Sequence, residues 1–260
     1  MNKEVEMNIN KVNTLTFDMF GTILDLAGSM IPYLNEFLNN TNSDVSGDQI
    51  WDTWRDRQRI EQYQDNILML GHSGYLKTCE RALKYSLEKY DISFNEKQIK
   101  SIMDGWHYLK PFDDALKSLP ELSNKYKLVA LSNGEQNYLE HLALNQLKFE
   151  FNDIISVQNA GLFKPSPAVY RKAAKMLNKN VEEIMMVASH SFDIIGAKTC
   201  GYKGAYINRY DLPVEDMNYS PDITVIDFYE FTNFIVRGII PKSCLLYTSP
   251  SPRDGLLSRM

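Results

Sequence analysis

Cysteine is scarce in this chain of 260 residues: there are three, Cys79, Cys200 and Cys244, odd in number and widely spaced. No two of them form the close pair that a zinc site uses, and a reduced compartment is the simplest expectation. Long apolar runs are also missing. None approaches the roughly 20 residues that span a bilayer, and the start, Met1-Asn2-Lys3-Glu4-Val5-Glu6, lacks the apolar segment of a secretory signal. The expectation is a cytoplasmic protein with no membrane partner. Positive charge is not in excess: Lys+Arg number 28 against 33 Asp+Glu, a net charge of -5. That balance argues against a nucleic-acid partner. The local cluster Arg55, Arg57 and Arg59 stands among Asp52, Asp56 and Glu61 and reads at first as a solvated helix face. No internal repeat or low-complexity segment interrupts the chain before its end. Residues 242–260 have neither a helical nor a strand period. Their run Ser243-Cys244-Leu245-Leu246-Tyr247-Thr248-Ser249-Pro250 resembles translated sequencing-adapter read-through. That tail is expected to be non-native or disordered.

What is present is enough for a full core, since 44% of residues are apolar. Short, separated apolar runs predict strands over 15–18, 127–131, 153–156, 184–187 and 204–207. Helical periods lie between the later ones, over 112–122, 135–147, 167–177 and 192–200. Ser166 and Pro167 read as the N-cap and first position of the third, and Gly201 ends the fourth. The alternation implies βαβ units and an α/β fold: a Rossmann-like, doubly wound parallel sheet. Between about 26 and 110 only helices are expected, over 29–38, 47–70, 73–90 and 95–109. The reading is a core of residues 12–25 and 111–237 with an inserted helical cap, 26–110.

Four chemical segments then fall at strand ends, which share one edge of such a sheet. Asp18 follows the first strand and opens into Met19-Phe20-Gly21-Thr22. Ser132-Asn133 follows the second. Lys164-Pro165 lies after the third. Ala188-Ser189-His190-Ser191-Phe192-Asp193 follows the fourth. Each alone is a common turn or cap; their order, with a helical insertion after the first, is the signal. An acid two residues after the nucleophile would serve a phosphatase as general acid. Here that position is Phe20, which moves no proton. Mg²⁺ needs several hard oxygen ligands, and these segments offer only Asp18 and Asp193. The site is expected to hold no metal and to use no cofactor.

This arrangement resembles the haloacid dehalogenase superfamily, and within it the (S)-2-haloacid dehalogenase branch, from about Leu15 to Val236. The carriers are Asp18, Gly21 and Thr22 with an aromatic at Phe20; Ser132 and Asn133; Lys164-Pro165 with Tyr170; and, in the cap, Trp54, Arg55 and Gln58. The resemblance implies that Asp18 displaces halide from C2 of a short 2-haloacid and forms an aspartyl ester. Water then attacks the Asp18 carbonyl carbon, so C2 is inverted once. Thr22 would hydrogen-bond Asp18, and Lys164 would favour its ionised form. Arg55 would receive the halide and meet the substrate; Arg59 shares its helix face and could add to it, whereas Arg57 points elsewhere. The amides of Met19 and Phe20, with Ser132 and Asn133, would bind the carboxylate or the ester oxygen. Tyr170 would support Lys164 or the pocket, and Phe192 belongs with the substrate wall. Asp193 would orient Lys164 and the water. The chain departs from the branch at Ala188, which offers no hydroxyl, and at His190, a titratable ring in place of an amide, expected to position or deprotonate water. The alternatives are a phosphatase or phosphonate hydrolase of the same superfamily, and a catalytically silent binding protein. The partners implied are the 2-haloacid, the halide and a second copy in a homodimer.

Overall fold

The computed structural model describes residues 9–41, 43–213 and 217–240. Cys244 and the stretch 242–260 lie outside them. The core is a six-stranded parallel sheet of β1 (Thr14–Phe17), β4 (Lys127–Ser132), β5 (Asp153–Ser156), β6 (Ile184–Ala188), β7 (Lys203–Ile207) and β8 (Ile223–Val225), in the order β5-β4-β1-β6-β7-β8. β1 is central. It pairs Leu15 with Leu128 on one side and with Met185 on the other. All four of its residues are buried, as a strand covered on both faces requires. The chain leaves β1 in one direction, through β4 and β5, and returns to the other side at β6. The switch point therefore lies at the carboxyl end of β1, and Asp18 is the next residue.

The helical excursion is bracketed by a two-stranded antiparallel pair, β2 (Leu24–Asp25) and β3 (Lys110–Pro111). Neither strand was expected, because two residues are too short to show a period. Between them come α1 (Leu26–Leu38), α2 (Gly47–Ile67), α3 (Tyr75–Lys89), α4 (Glu96–Asp104) and a 3₁₀ turn, Gly105–Tyr108. The long helix α2 starts on a full capping box, Ser46 with Gln49, which satisfies two end donors reciprocally. It stops at Ile67, three residues before the expected end. The core helices are α5 (Asp113–Ser123), α6 (Gln136–Leu142), α7 (Pro167–Leu177), α8 (Ser191–Thr199) and α9 (Phe228–Arg237).

Three expectations need correction. The helix expected to run to 147 is α-helical only to Leu142 and continues as a wider π turn through Leu147. Ser166 holds the N-cap position of α7, but its side chain makes no capping hydrogen bond. β8, on the sheet edge, was missed because three residues give no period.

Candidate active site

The turn after β1 is built to present Asp18. Gly21 has φ +80, a left-handed backbone that favours glycine. It allows the carbonyl of Met19 to accept from the amides of Thr22, Ile23 and Leu24. A Cβ on Gly21 would stand 2.8 Å from His190 Cε1, so the same glycine makes room for that ring. Thr22 Oγ1 donates to Asp18 Oδ2 at 2.9 Å and accepts from the Ser189 amide at 2.9 Å. Its hydroxyl proton is thereby directed at the carboxylate.

Lys164 is 1% exposed. Its ammonium lies 2.7 Å from Asp193 Oδ2 and 3.5 Å from Asp18 Oδ1, bridging the two acids. Asp193 also accepts from the Tyr170 hydroxyl at 2.6 Å. Burial works to raise Asp18, but the Lys164 charge, His190 and Thr22 together hold its carboxyl below the ordinary value of 3.8. Asp193 goes the other way: burial, with the Asp18 charge behind it, outweighs Lys164 and pushes it up. One ammonium between two buried acids keeps one of them firmly ionised. Asp18 is the acid held ionised, and it faces a cavity.

Such a donor set does not suit Mg²⁺. Both acids are already engaged by Lys164, and Phe20 and Ser189 add no charge. Among the described residues no cluster of three His, Cys, Asp or Glu side chains could hold a metal ion. Phe20 instead stacks face to face on Tyr75 of α3, 4.1 Å between centroids and 8° between planes. The place of a general acid has become a packing contact between the sheet edge and the helices above it.

Those helices close the cavity. Arg55, Gln58, Arg59 and Gln62 lie on one face of α2, and all four line the same space as Asp18, Phe20, Tyr75, Asn133, Lys164, His190, Phe192 and Asp193. The cavity is small, about 30 Å³, against the 10–15 Å³ or so that one water needs. Polar contacts lock the lid: Asn133 Nδ2 donates to Gln62 Oε1, and Asn66 exchanges two hydrogen bonds with the backbone of Phe163. Arg55 donates to Gln58 and lies over the Trp51 ring. Arg57 points away, held by Glu61 and stacked on Tyr85. His190 Nδ1 is 3.5 Å from Asp18 Oδ2, and the ring lines the cavity mouth.

The fold thus gathers Asp18, Phe20, Arg55, Asn133, Lys164, His190, Phe192 and Asp193 around one space. Other sequence-predicted residues stand behind it. Tyr170 is fully buried and spends its hydroxyl on Asp193, so a substrate-binding role gives way to a positioning one. Ser132 is fully buried and does not line the cavity, and its hydroxyl has no partner among the described residues. Met19 is buried, and it is its carbonyl that works, in the turn. The amides of Met19 and Phe20 donate to no carbonyl in the turn's backbone hydrogen bonds. Sequence reading missed Gln62, Tyr75 and Tyr210. Gln62 had a signal, two turns along α2 from Arg55. Tyr210 had none: it comes from the loop after β7 and donates to the Gly21 carbonyl at 2.8 Å.

Comparison with known proteins agrees with this architecture. The family model for haloacid dehalogenase-like hydrolases matches residues 12–201. Haloacetate dehalogenase H-2 of Moraxella sp. (strain B) is 27% identical over 219 residues, covering 84% of this chain and 95% of its own length. The (S)-2-haloacid dehalogenase of Pseudomonas putida is 25% identical over 233 residues, covering 89% and 100%. The solved structure of the L-2-haloacid dehalogenase from Xanthobacter autotrophicus shares the fold, with a TM-score of 0.75 at 23% identity over 88% of this chain and 99% of that one. A family match that runs from before β1 to the end of α8, and so takes in the whole constellation around Asp18, makes this chain a member of the haloacid dehalogenase-like hydrolases.

Proposed function

We propose that the chain is an (S)-2-haloacid dehalogenase acting on short 2-haloalkanoic acids. The observation that carries this reading is the pair of Phe20 and Lys164. The acid a phosphatase needs is an aromatic stacked on Tyr75, and the charge a metal would supply comes from an ammonium between Asp18 and Asp193. Two curated relatives that align over nearly their whole length carry dehalogenase names.

Asp18, ionised, attacks C2 in line with the carbon–halogen bond. The new C–O bond forms as halide leaves towards Arg55. The amides of Met19 and Phe20, with Asn133, hold the carboxylate. Water then adds to the Asp18 carbonyl carbon and the C2 alcohol departs with its configuration inverted once. His190 orients that water beside Asp18, and Lys164 stabilises the charge that returns to the carboxylate.

Incubation with (S)- and (R)-2-chloropropionate in the presence of a chelator tests the reading. The expected outcome is chloride from the S form alone, with (R)-lactate as product. Chloride from neither, together with Mg²⁺-dependent hydrolysis of a phosphate or phosphonate ester, would overturn it. A single turnover without release would mark a silent binding protein.

A further inference from the structure

Arg59 has no task in that reaction. It lies one turn along α2 from Arg55 and lines both the inner cavity with Asp18 and a larger outer chamber of about 380 Å³. Arg55 and His190 also border both spaces, so the two adjoin at these three side chains. Among the described residues the Arg59 guanidinium makes no hydrogen bond. Its one carboxylate neighbour is Asp56 Oδ1 at 3.7 Å, on a side chain 77% exposed. A guanidinium offers five N–H donors in a rigid fork, and an exposed contact at that distance is weak and readily exchanged. Burial, and after it the Arg55 charge, lower the Arg59 guanidinium from its ordinary value, with Asp56, Tyr63 and Tyr210 acting the other way; the group remains cationic.

The chamber's shape says what kind of anion. The inner cavity has room for a reacting carbon and its immediate substituents, so the rest of a ligand extends outward. There it meets Leu26, Ala27, Trp51 and Leu212, an apolar wall suited to methylene groups, beside Arg55 and Arg59. Asp52 and Asp56 stand exposed at the rim. Their negative charge disfavours a phosphate dianion more than a carboxylate, whose two oxygens match one guanidinium fork.

We propose that the outer chamber is a second anion subsite in which Arg59 pairs with the distal carboxylate of a short dicarboxylic acid whose other end lies at Asp18. The substrate class is then a 2-halo dicarboxylic acid. Only the reacting end depends on the dehalogenase reading.

Calorimetric titration of the full-length protein with succinate and with propionate, neither of which carries a leaving group, separates the two ideas. Succinate should bind on the order of tenfold more tightly. In Arg59→Gln the two acids should bind within about twofold of each other, and Arg59→Lys should keep part of the preference. In turnover, the kcat/KM ratio of (S)-2-chlorosuccinate to (S)-2-chloropropionate should fall in Arg59→Gln through KM. Equal affinities in the wild type, a succinate preference that survives Arg59→Gln, or tighter binding of inorganic phosphate would each overturn the subsite. A succinate preference that depends on Arg59, with no halide released from either chloroacid, would support the subsite and sink the dehalogenase reading.

Discussion

Thr22 does two things with one hydroxyl, and this adds to the Lys164 and His190 influences that keep Asp18 ionised. Because it accepts from the Ser189 amide, its proton is left for the carboxylate. Tyr170 plays a parallel part for Asp193, where burial and then the Asp193 charge keep its phenol protonated and donating. Tyr170→Phe leaves a buried carboxylate oxygen without its donor. A hydrogen bond to a charged group is worth about 1.5–3 kcal/mol, so kcat should fall about 10- to 100-fold. KM should change little, since Tyr170 lies behind the cavity; steady-state kinetics decides. The pKa directions give a second prediction. In the proposed reaction Asp18 must be ionised to attack, and it is held below 3.8, so the acid limb of kcat/KM due to Asp18 should lie below that pH. Lys164→Met removes the largest of the lowering influences and should move the limb upward, read from a pH–rate profile. For stability the two acids oppose each other. The depressed Asp18 contributes stability that is present above 3.8 and lost as pH falls through its folded value. The raised Asp193 makes the folded state less stable as pH rises from 3.8 through its own folded value.

At the scale of the element, α2 is the part on which the lid depends. Its face of Arg55, Gln58, Arg59 and Gln62 is set by helical spacing, and its start is fixed by the Ser46–Gln49 capping box. Ser46→Ala should cost about 1 kcal/mol, a drop in Tm of roughly 2–4 °C for a chain of this size. With the far end held by Asn66 at Phe163, kcat/KM should stay within about twofold; thermal melts and kinetics on the same sample check both. Strand ends were legible in the sequence for the same kind of reason. β4 and β6 are apolar runs and β1 alternates Leu15 and Phe17 with two buried threonines; they are closed by Ser132-Asn133, Ala188-Ser189 and Asp18. β2, β3 and β8 were not legible, because two or three residues cannot declare a period and their pairing is decided by the elements around them.

For the whole molecule, the sequence carried the doubly wound sheet, the helical insertion and the residues that meet at the switch point. It did not carry how the lid meets the sheet edge. Phe20 read as a missing acid, yet its ring is sandwiched between Tyr75 and Tyr138, with Trp106 edge-on. Only the folded chain brings those four together from positions spread between 20 and 138. The same holds for Tyr210, which reaches Gly21 from the loop after β7, two strands along the same sheet edge. In the proposed reaction it is Asp18 that forms the ester bond. A single turnover of (S)-2-chloropropionate by excess enzyme in H₂¹⁸O, followed by mass spectrometry of the lactate and of the peptide containing Asp18, tests it most directly. The label should enter the Asp18 carboxylate and be absent from the first lactate formed, with neither product seen in Asp18→Asn; ¹⁸O in that first lactate and none in the peptide would contradict the account.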